Sequence, residues 1–335
     1  MADNVVSGVV EPPAPGDVTP LPAPGTAEYA AVAERGAAAL RRGEVGLVVL
    51  AGGMATRMGG VVKALVEAVD GLTFLDIRLR ELDEAERRYG RRPPLFMMTS
   101  AATDGPIREA LGARAGDPAI GIFRQGVALR ETPEGEVFRD DAGNPSEYAQ
   151  GHGDLVDAFR DSGLLARFVE QGGRTLMLAN LDNLGATVDA AVTGWHLAHE
   201  AELTCEVVEA GGDRGGWPVR WNGRPVILED FRLPEGFDPA TAGVFNTNTF
   251  HVDAAALLAH AAEWTWFRVE KEVDGRTAIQ RERLLGELTS HVATRFLQVP
   301  REGPGSRFLP AKDFDELEAR RPELRAALAA RGILG

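Results

Sequence analysis

The sequence has one cysteine in 335 residues, Cys205. A lone thiol closes no internal disulfide and builds no thiolate metal cluster, so a reducing compartment is expected. Cys205 lies in the apolar run Leu203 to Val208, where a thiol is expected to be buried and inert rather than nucleophilic. Cations are also short. Thirty-six Lys and Arg stand against 50 Asp and Glu, a net charge of -14. Such a field repels polymeric phosphate and anionic lipid, so nucleic-acid polymers and membrane surfaces are disfavoured partners. A small phosphate substrate needs only a locally basic pocket and stays possible. No apolar run reaches the length of a membrane span, and the opening MADNVVSGVV has neither a cationic start nor a continuous apolar stretch. A cytoplasmic protein is the expectation.

Hydrophobic residues make up 44% and charged residues 26%, as in ordinary globular proteins. The length suits one large α/β domain with small attachments. Residues 1–25, with prolines from Pro12 to Pro24, read as an extended, loosely held leader. Residues 26–308 read as the main domain and 309–335 as a C-terminal helical segment. From Gly46 onward short apolar runs alternate with amphipathic stretches, the pattern of strands feeding crossover helices in a largely parallel or mixed sheet flanked by helices. Strands are expected at Gly46–Ala51, Leu95–Ser100, Ile120–Gln125, Arg174–Asn180 and Leu203–Ala210. Helices are expected at Ala27–Arg42, Phe74–Tyr89 and Asp154–Phe168. Near 211–235 a hairpin excursion interrupts the rhythm, with Asn222-Gly223 as its turn. In the C-terminal helix, Pro322 is expected to force a break.

Five segments carry candidate chemistry. LAGGMATRMGGVVKAL, Leu50 to Leu65, follows an apolar strand. Gly52 and Gly53 let backbone amides approach phosphate oxygens, with Ala51 at the strand end, and Arg57 and Lys63 add positive charge. The segment spells neither a Walker loop nor G-x-G-x-x-G, which argues against both of those nucleotide folds. QGHGD, Gln150 to Asp154, precedes a helix. Gly151 and Gly153 suit backbone lying against a flat ligand, His152 suits a hydroxyl or phosphate, and Asp154 suits a helix cap. NLDNLGATVD opens at Asn180, where a parallel strand ends. There Asp182 points into the crevice that binds ligands in such sheets and is the Mg²⁺ candidate. FNTN places Asn246 and Asn248 two apart on a short strand, facing sugar hydroxyls. Finally, VPREGPGSRFLPAKDF offers Arg301, Arg307 and Lys312 as a phosphate clamp, or as a solvated basic loop.

In this order, LAGGMATRMG with Lys63, the FRQ of Phe123 to Gln125, GHGD, NLDNLGA, FNTN and RFLPAK resemble the UDP-glucose pyrophosphorylase family from about Val45 to about Leu317. The resemblance implies a sugar-nucleotidyltransferase fold and a reaction between a nucleoside triphosphate and a sugar-like 1-phosphate, most simply UTP with glucose 1-phosphate, with Mg²⁺ as cofactor. It places Gly52 and Gly53 on the nucleotide and has Gln125 with Gly151 read the base. Arg57, Lys63 and Lys312 meet phosphates, His152 and Asn246 touch the sugar phosphate, and Asp182 binds Mg²⁺. It also leaves association into a homo-oligomer open.

Ala55 replaces the family's glycine before Thr-Arg, and Ala149-Gln150 replace a proline pair before GHGD. A related branch, resembling valienol 1-phosphate guanylyltransferases, would use GTP and a cyclitol phosphate. A sugar-nucleotide-binding protein without catalysis is the alternative of another class.

Overall fold

The computed structural model describes residues 4–55, 58–199, 201–261 and 263–334. Its centre is an eight-stranded mixed sheet in the order Val18–Pro20, Thr294–Gln298, Leu203–Glu209, Val244–Asp253, Thr175–Asn180, Val45–Leu50, Leu95–Thr99, Ile120–Arg124. Val244–Asp253 runs antiparallel to both neighbours. The other pairings are parallel. Each strand expected from the apolar runs is present with ends shifted by a residue or so.

The helices are α1 (Ala27–Arg42), α2 (Phe74–Tyr89), α3 (Asp104–Leu111), α4 (Leu155–Asp161), α5 (Leu164–Glu170), α6 (Ala190–Ala198), α7 (Ala254–Ala259) and α8 (Phe314–Ala330). The central strands are buried on both faces, which is why they read as unbroken apolar runs. Leu47 and Val49 pack with α2 and α8 in one core cluster. Val48 points the other way and packs with α4 and α5. No helix among the described residues is long and apolar enough to cross a membrane.

Three expectations change. The leader is pinned rather than loose: Val18–Pro20 joins the main sheet and Val10–Glu11 pairs with Gly216–Trp221. Proline is tolerated at such edges because an edge strand leaves some N–H positions unused. The expected helix Asp154–Phe168 is two helices, since Gly163 at φ 74° turns the chain into the left-handed region between them. Helix α8 runs straight through Pro322. Pro322 and Glu318 are exposed, so the carbonyl that loses its donor faces water. The buried stripe Leu317, Leu324, Ala327 and Leu328 offsets a proline cost of about 3 kcal/mol. The Asn222-Gly223 hairpin forms as expected, both residues at positive φ. A second hairpin, Phe267–Val273 with Arg276–Glu282, was not anticipated. Its signal was Asp274-Gly275, again two adjacent positive φ values.

Candidate active site

The C-terminal ends of Val45–Leu50 and Thr175–Asn180, neighbouring parallel strands, open onto a pocket of about 400 Å³. Ligands enter open α/β sheets at such ends. Ala51, Gly52, Gly53, Lys63, Gln125, Gly151, His152, Asn180 and Asp182 all line it. Residues separated by more than 130 positions in sequence therefore share one wall or its opposite. Arg57 lies outside the described residues.

On the first wall, the amide of Ala51 donates to Met98 O at 2.8 Å, which ends the strand and starts the glycine segment. A Cβ on Gly52 would sit 2.6 Å from Gln125 Nε2, whereas one on Gly53 would meet no atom of the described residues within 4 Å. Gly52 thus makes room for Gln125, and Gly53 leaves space for something that is not protein. Lys63 Nζ donates to Asp182 Oδ2 at 2.5 Å. Asn180 Oδ1 accepts from Asn248 Nδ2 at 2.9 Å.

The second wall is GHGD. The Cβ sides of its glycines face the chain that follows the second hairpin, while Gly151 also lines the pocket. A Cβ on Gly151, which sits at φ 87°, would lie 2.4 Å from Arg283 O, and one on Gly153 would lie 2.7 Å from Leu284 N. Leu285 N–H donates to His152 Nδ1 at 2.9 Å. That bond fixes the tautomer, leaving Nε2–H as the ring's donor at the pocket. Burial pushes the His152 pKa down to about 4, so the ring is neutral at pH 7. Asp154 does not cap α4 with its side chain. It accepts from Gly126 N–H at 2.5 Å and pairs with Arg283, tying the two walls together. Glu282, delivered by the unanticipated hairpin, also lines the pocket.

The structure does not bring the remaining candidates to the pocket. Arg307 is buried, with Nε and Nη2 each 2.6 Å from the Glu206 carboxylate. His251 Nε2 is 2.8 Å from the same group. Burial alone would raise the Glu206 pKa, but Arg307 and His251 outweigh it and hold it at about 2. With Nη2 also donating to Thr187 O, Arg307 braces the interior instead of clamping phosphate. Its partner lies 101 positions away, a distance no local pattern reveals.

Lys312 is exposed, and its charge acts on Asp213. Asn246 and Asn248 sit on a strand of ten residues with a bulge rather than on a short one: the register steps from Thr249 to Asn246 between Glu206 and Val207. Asn248 takes φ 56°, which Asn tolerates better than most residues. Asn246 is buried and accepts from the Asn248 amide at 2.9 Å. Cys205 is buried as expected, its thiol 3.1 Å from Asn246 Oδ1 and its pKa raised by burial.

Comparison with known proteins shows the family. Residues 15–324 match the family described as UTP–glucose-1-phosphate uridylyltransferase. The chain belongs to that family. A uridylyltransferase of this name from Astragalus penduliflorus is 30% identical over 286 residues, 80% of this chain and 60% of the relative. One from Hordeum vulgare is 30% identical over 287 residues, 80% of this chain and 59% of the relative. The chain therefore spans about 60% of the length of these curated relatives. Among solved structures, a variant UDP-glucose pyrophosphorylase from Leishmania major in complex with UDP-glucose superposes with TM-score 0.73 at 25% identity, covering 84% of this chain and 66% of that one. A UDP-N-acetylglucosamine pyrophosphorylase from Trypanosoma brucei shares the fold at TM-score 0.79 and 19% identity, over 94% of this chain and 72% of that one.

Proposed function

We propose that this chain joins UTP to glucose 1-phosphate and releases pyrophosphate. The observation that carries the reading is the Lys63–Asp182 pair, 2.5 Å apart on the pocket wall, where adjacent parallel strands end. A cation and a carboxylate side by side suit a triphosphate and its divalent metal. In this reading Gly52, Gln125 and Gly151 meet the base, Asn180 also meets the nucleotide, Gly53 and Lys63 meet the phosphates, and His152 meets the sugar phosphate.

Among the described residues no three His, Cys, Asp or Glu groups gather into a protein-only metal site. One half-buried carboxylate fits Mg²⁺, which favours one or two carboxylates plus substrate phosphates over a protein cage. Bound at Asp182, the ion would neutralise phosphate charge.

The attacking oxygen belongs to a phosphate monoester, dianionic near neutral pH because its second pKa is about 6. It therefore needs no general base. The oxygen forms a bond to the α-phosphorus of UTP as the bond to the bridging oxygen breaks, and that electron pair leaves on pyrophosphate. Lys63 offsets the repulsion between the two anions, and His152 donates a hydrogen bond from Nε2 without changing its protonation. Positioning and charge then supply the rate.

Crossing UTP, GTP, ATP, CTP and dTTP with glucose 1-phosphate and a cyclitol phosphate, with Mg²⁺ and ³¹P NMR detection, tests this. UDP-glucose and pyrophosphate from UTP are expected. Pyrophosphate only from GTP with the cyclitol phosphate would reassign both substrates. Nucleotide binding with no pyrophosphate from any pair would make the chain a binding protein.

A further inference from the structure

Asp182 sits just past the strand end at Asn180, in residues 181–188, a stretch with no regular secondary structure that is nonetheless inside the protein. Leu181, Asn183, Leu184 and Ala186 are all buried. Irregular buried backbone has no ladder to satisfy its carbonyls, so some other donor must do it. Turn bonds within the segment reach Asn180 O, Asp182 O and Asn183 O, Arg307 reaches Thr187 O, and a single further side chain makes four more bonds. Arg78, on α2 and with no exposed surface, donates from Nη2 to Asn180 O at 3.1 Å and Asn183 O at 2.8 Å. Nη1 donates to Ala186 O at 2.7 Å and Nε to Leu181 O at 3.3 Å. The acceptors bracket Asp182 on both sides.

One turn further along α2, Glu81 completes the arrangement. Its Oε2 accepts from Arg78 Nη1 at 2.8 Å and its Oε1 from Val188 N–H at 2.6 Å. The pair therefore meets both carbonyls and an amide of one segment. From the opposite side, Asn183 accepts from Leu309 N–H at 2.8 Å and donates to Arg307 O at 3.1 Å.

We infer that Arg78, with Glu81, is the positioning residue that sets where the Asp182 carboxylate stands relative to Lys63. A buried guanidinium is costly unless every face is paired, and here its planar fork matches four carbonyls of one functional segment. A purely structural arginine has no need to gather its acceptors around a single pocket residue. Arg78 touches neither the pocket nor a substrate, so it acts only through Asp182 and Asn180. The nucleotide-base end, built from Gly52, Gln125 and Gly151, hangs on other segments and stays in place when Arg78 changes.

The test compares wild type with Arg78→Met, which keeps length and apolar stem but has no donor. Both arms rest on the UTP and Mg²⁺ site proposed above; only the rate arm also rests on the proposed reaction. Calorimetric titration of UTP is run with Mg²⁺ and with EDTA. Wild type should gain affinity from Mg²⁺, and Arg78→Met should lose most of that gain while keeping its EDTA affinity within about twofold. Turnover should fall by about 10²-fold, the cost of a misplacement near 1 Å, with KM for UTP little changed. An Mg²⁺ gain and turnover equal to wild type, with only a lower melting temperature, would overturn the inference.

If Arg78→Met does not fold, Glu81→Gln takes its place. It should shift the Mg²⁺ gain in the same direction and less, and an unchanged gain would overturn the inference. A wild type that shows the Mg²⁺ gain but releases no pyrophosphate sinks the proposed reaction while leaving the Arg78 comparison decisive.

Discussion

Two glycine-rich segments face each other across the pocket, and they use glycine for opposite ends. Around Gly53, Gly59 and Gly60 a Cβ would meet no atom of the described residues within 4 Å, while at Gly151 and Gly153 it would collide with the Arg283–Leu284 backbone. In the proposed function the first segment is open because the nucleotide occupies the space. The second is closed because the protein itself fills it. Glycine content alone marks both as ligand loops, and only the neighbours distinguish a cradle from a joint.

Four substitutions or conditions break or sharpen that contrast. The largest effect is expected from Lys63→Ala in the open segment. If Lys63 acts chiefly in the transition state, turnover falls by about 10²- to 10³-fold in a pyrophosphate-release assay, with the fold retained. Lys312→Ala should cost clearly less, because Lys312 lies outside the pocket lining. An equal loss would mean that the segment from Leu309 to Asp313 closes over the phosphates.

In the closed segment, Gly151→Ala should lower stability in urea by at least about 1–2 kcal/mol, from the left-handed backbone alone. The contact with Arg283 O adds to that. Unchanged stability would show that this joint is looser than the geometry states.

Smaller still is a pH effect in the same segment. The His152 pKa is about 4 folded against 6.5 in the unfolded chain, so the unfolded state binds more protons between those values. Stability from this group is full above pH 6.5 and declines as pH falls towards 4. His152→Gln should flatten that part of a urea-midpoint profile. The Glu206 contribution lies lower: its folded pKa is depressed, so its stability is lost only as pH falls from 4.5 towards 2.

Much of this architecture could be read from residue order. The central strands announce themselves as short apolar runs because both of their faces are buried, and Asn222-Gly223 announces its hairpin because few other pairs accept two positive φ values. Gly52, Gly53, Gln125, Gly151, His152, Asn180 and Asp182, candidates from the sequence, all line one pocket.

What was misread depended on distant partners. Arg307 looked like a phosphate ligand because Glu206, its actual partner, lies 101 positions away. Asp154 looked like a cap because nothing local points to Arg283, 129 positions on. Arg78 carries no local signal, because an arginine on an amphipathic helix reads as surface, whereas its acceptors are backbone carbonyls that have no sequence signature. The Asp274-Gly275 hairpin, by contrast, was legible and went unread, and with it Glu282.

The most direct test of the contrast is a calorimetric titration of UTP, with Mg²⁺, into wild type and Gly53→Ala, beside a urea unfolding curve for each. A Cβ at Gly53 touches no atom of the described residues within 4 Å, so stability should stay within about 0.5 kcal/mol. UTP affinity should fall by roughly tenfold, about 1.4 kcal/mol. Unchanged UTP affinity with the added methyl in place would contradict the account, because the open segment would then not be where the nucleotide lies.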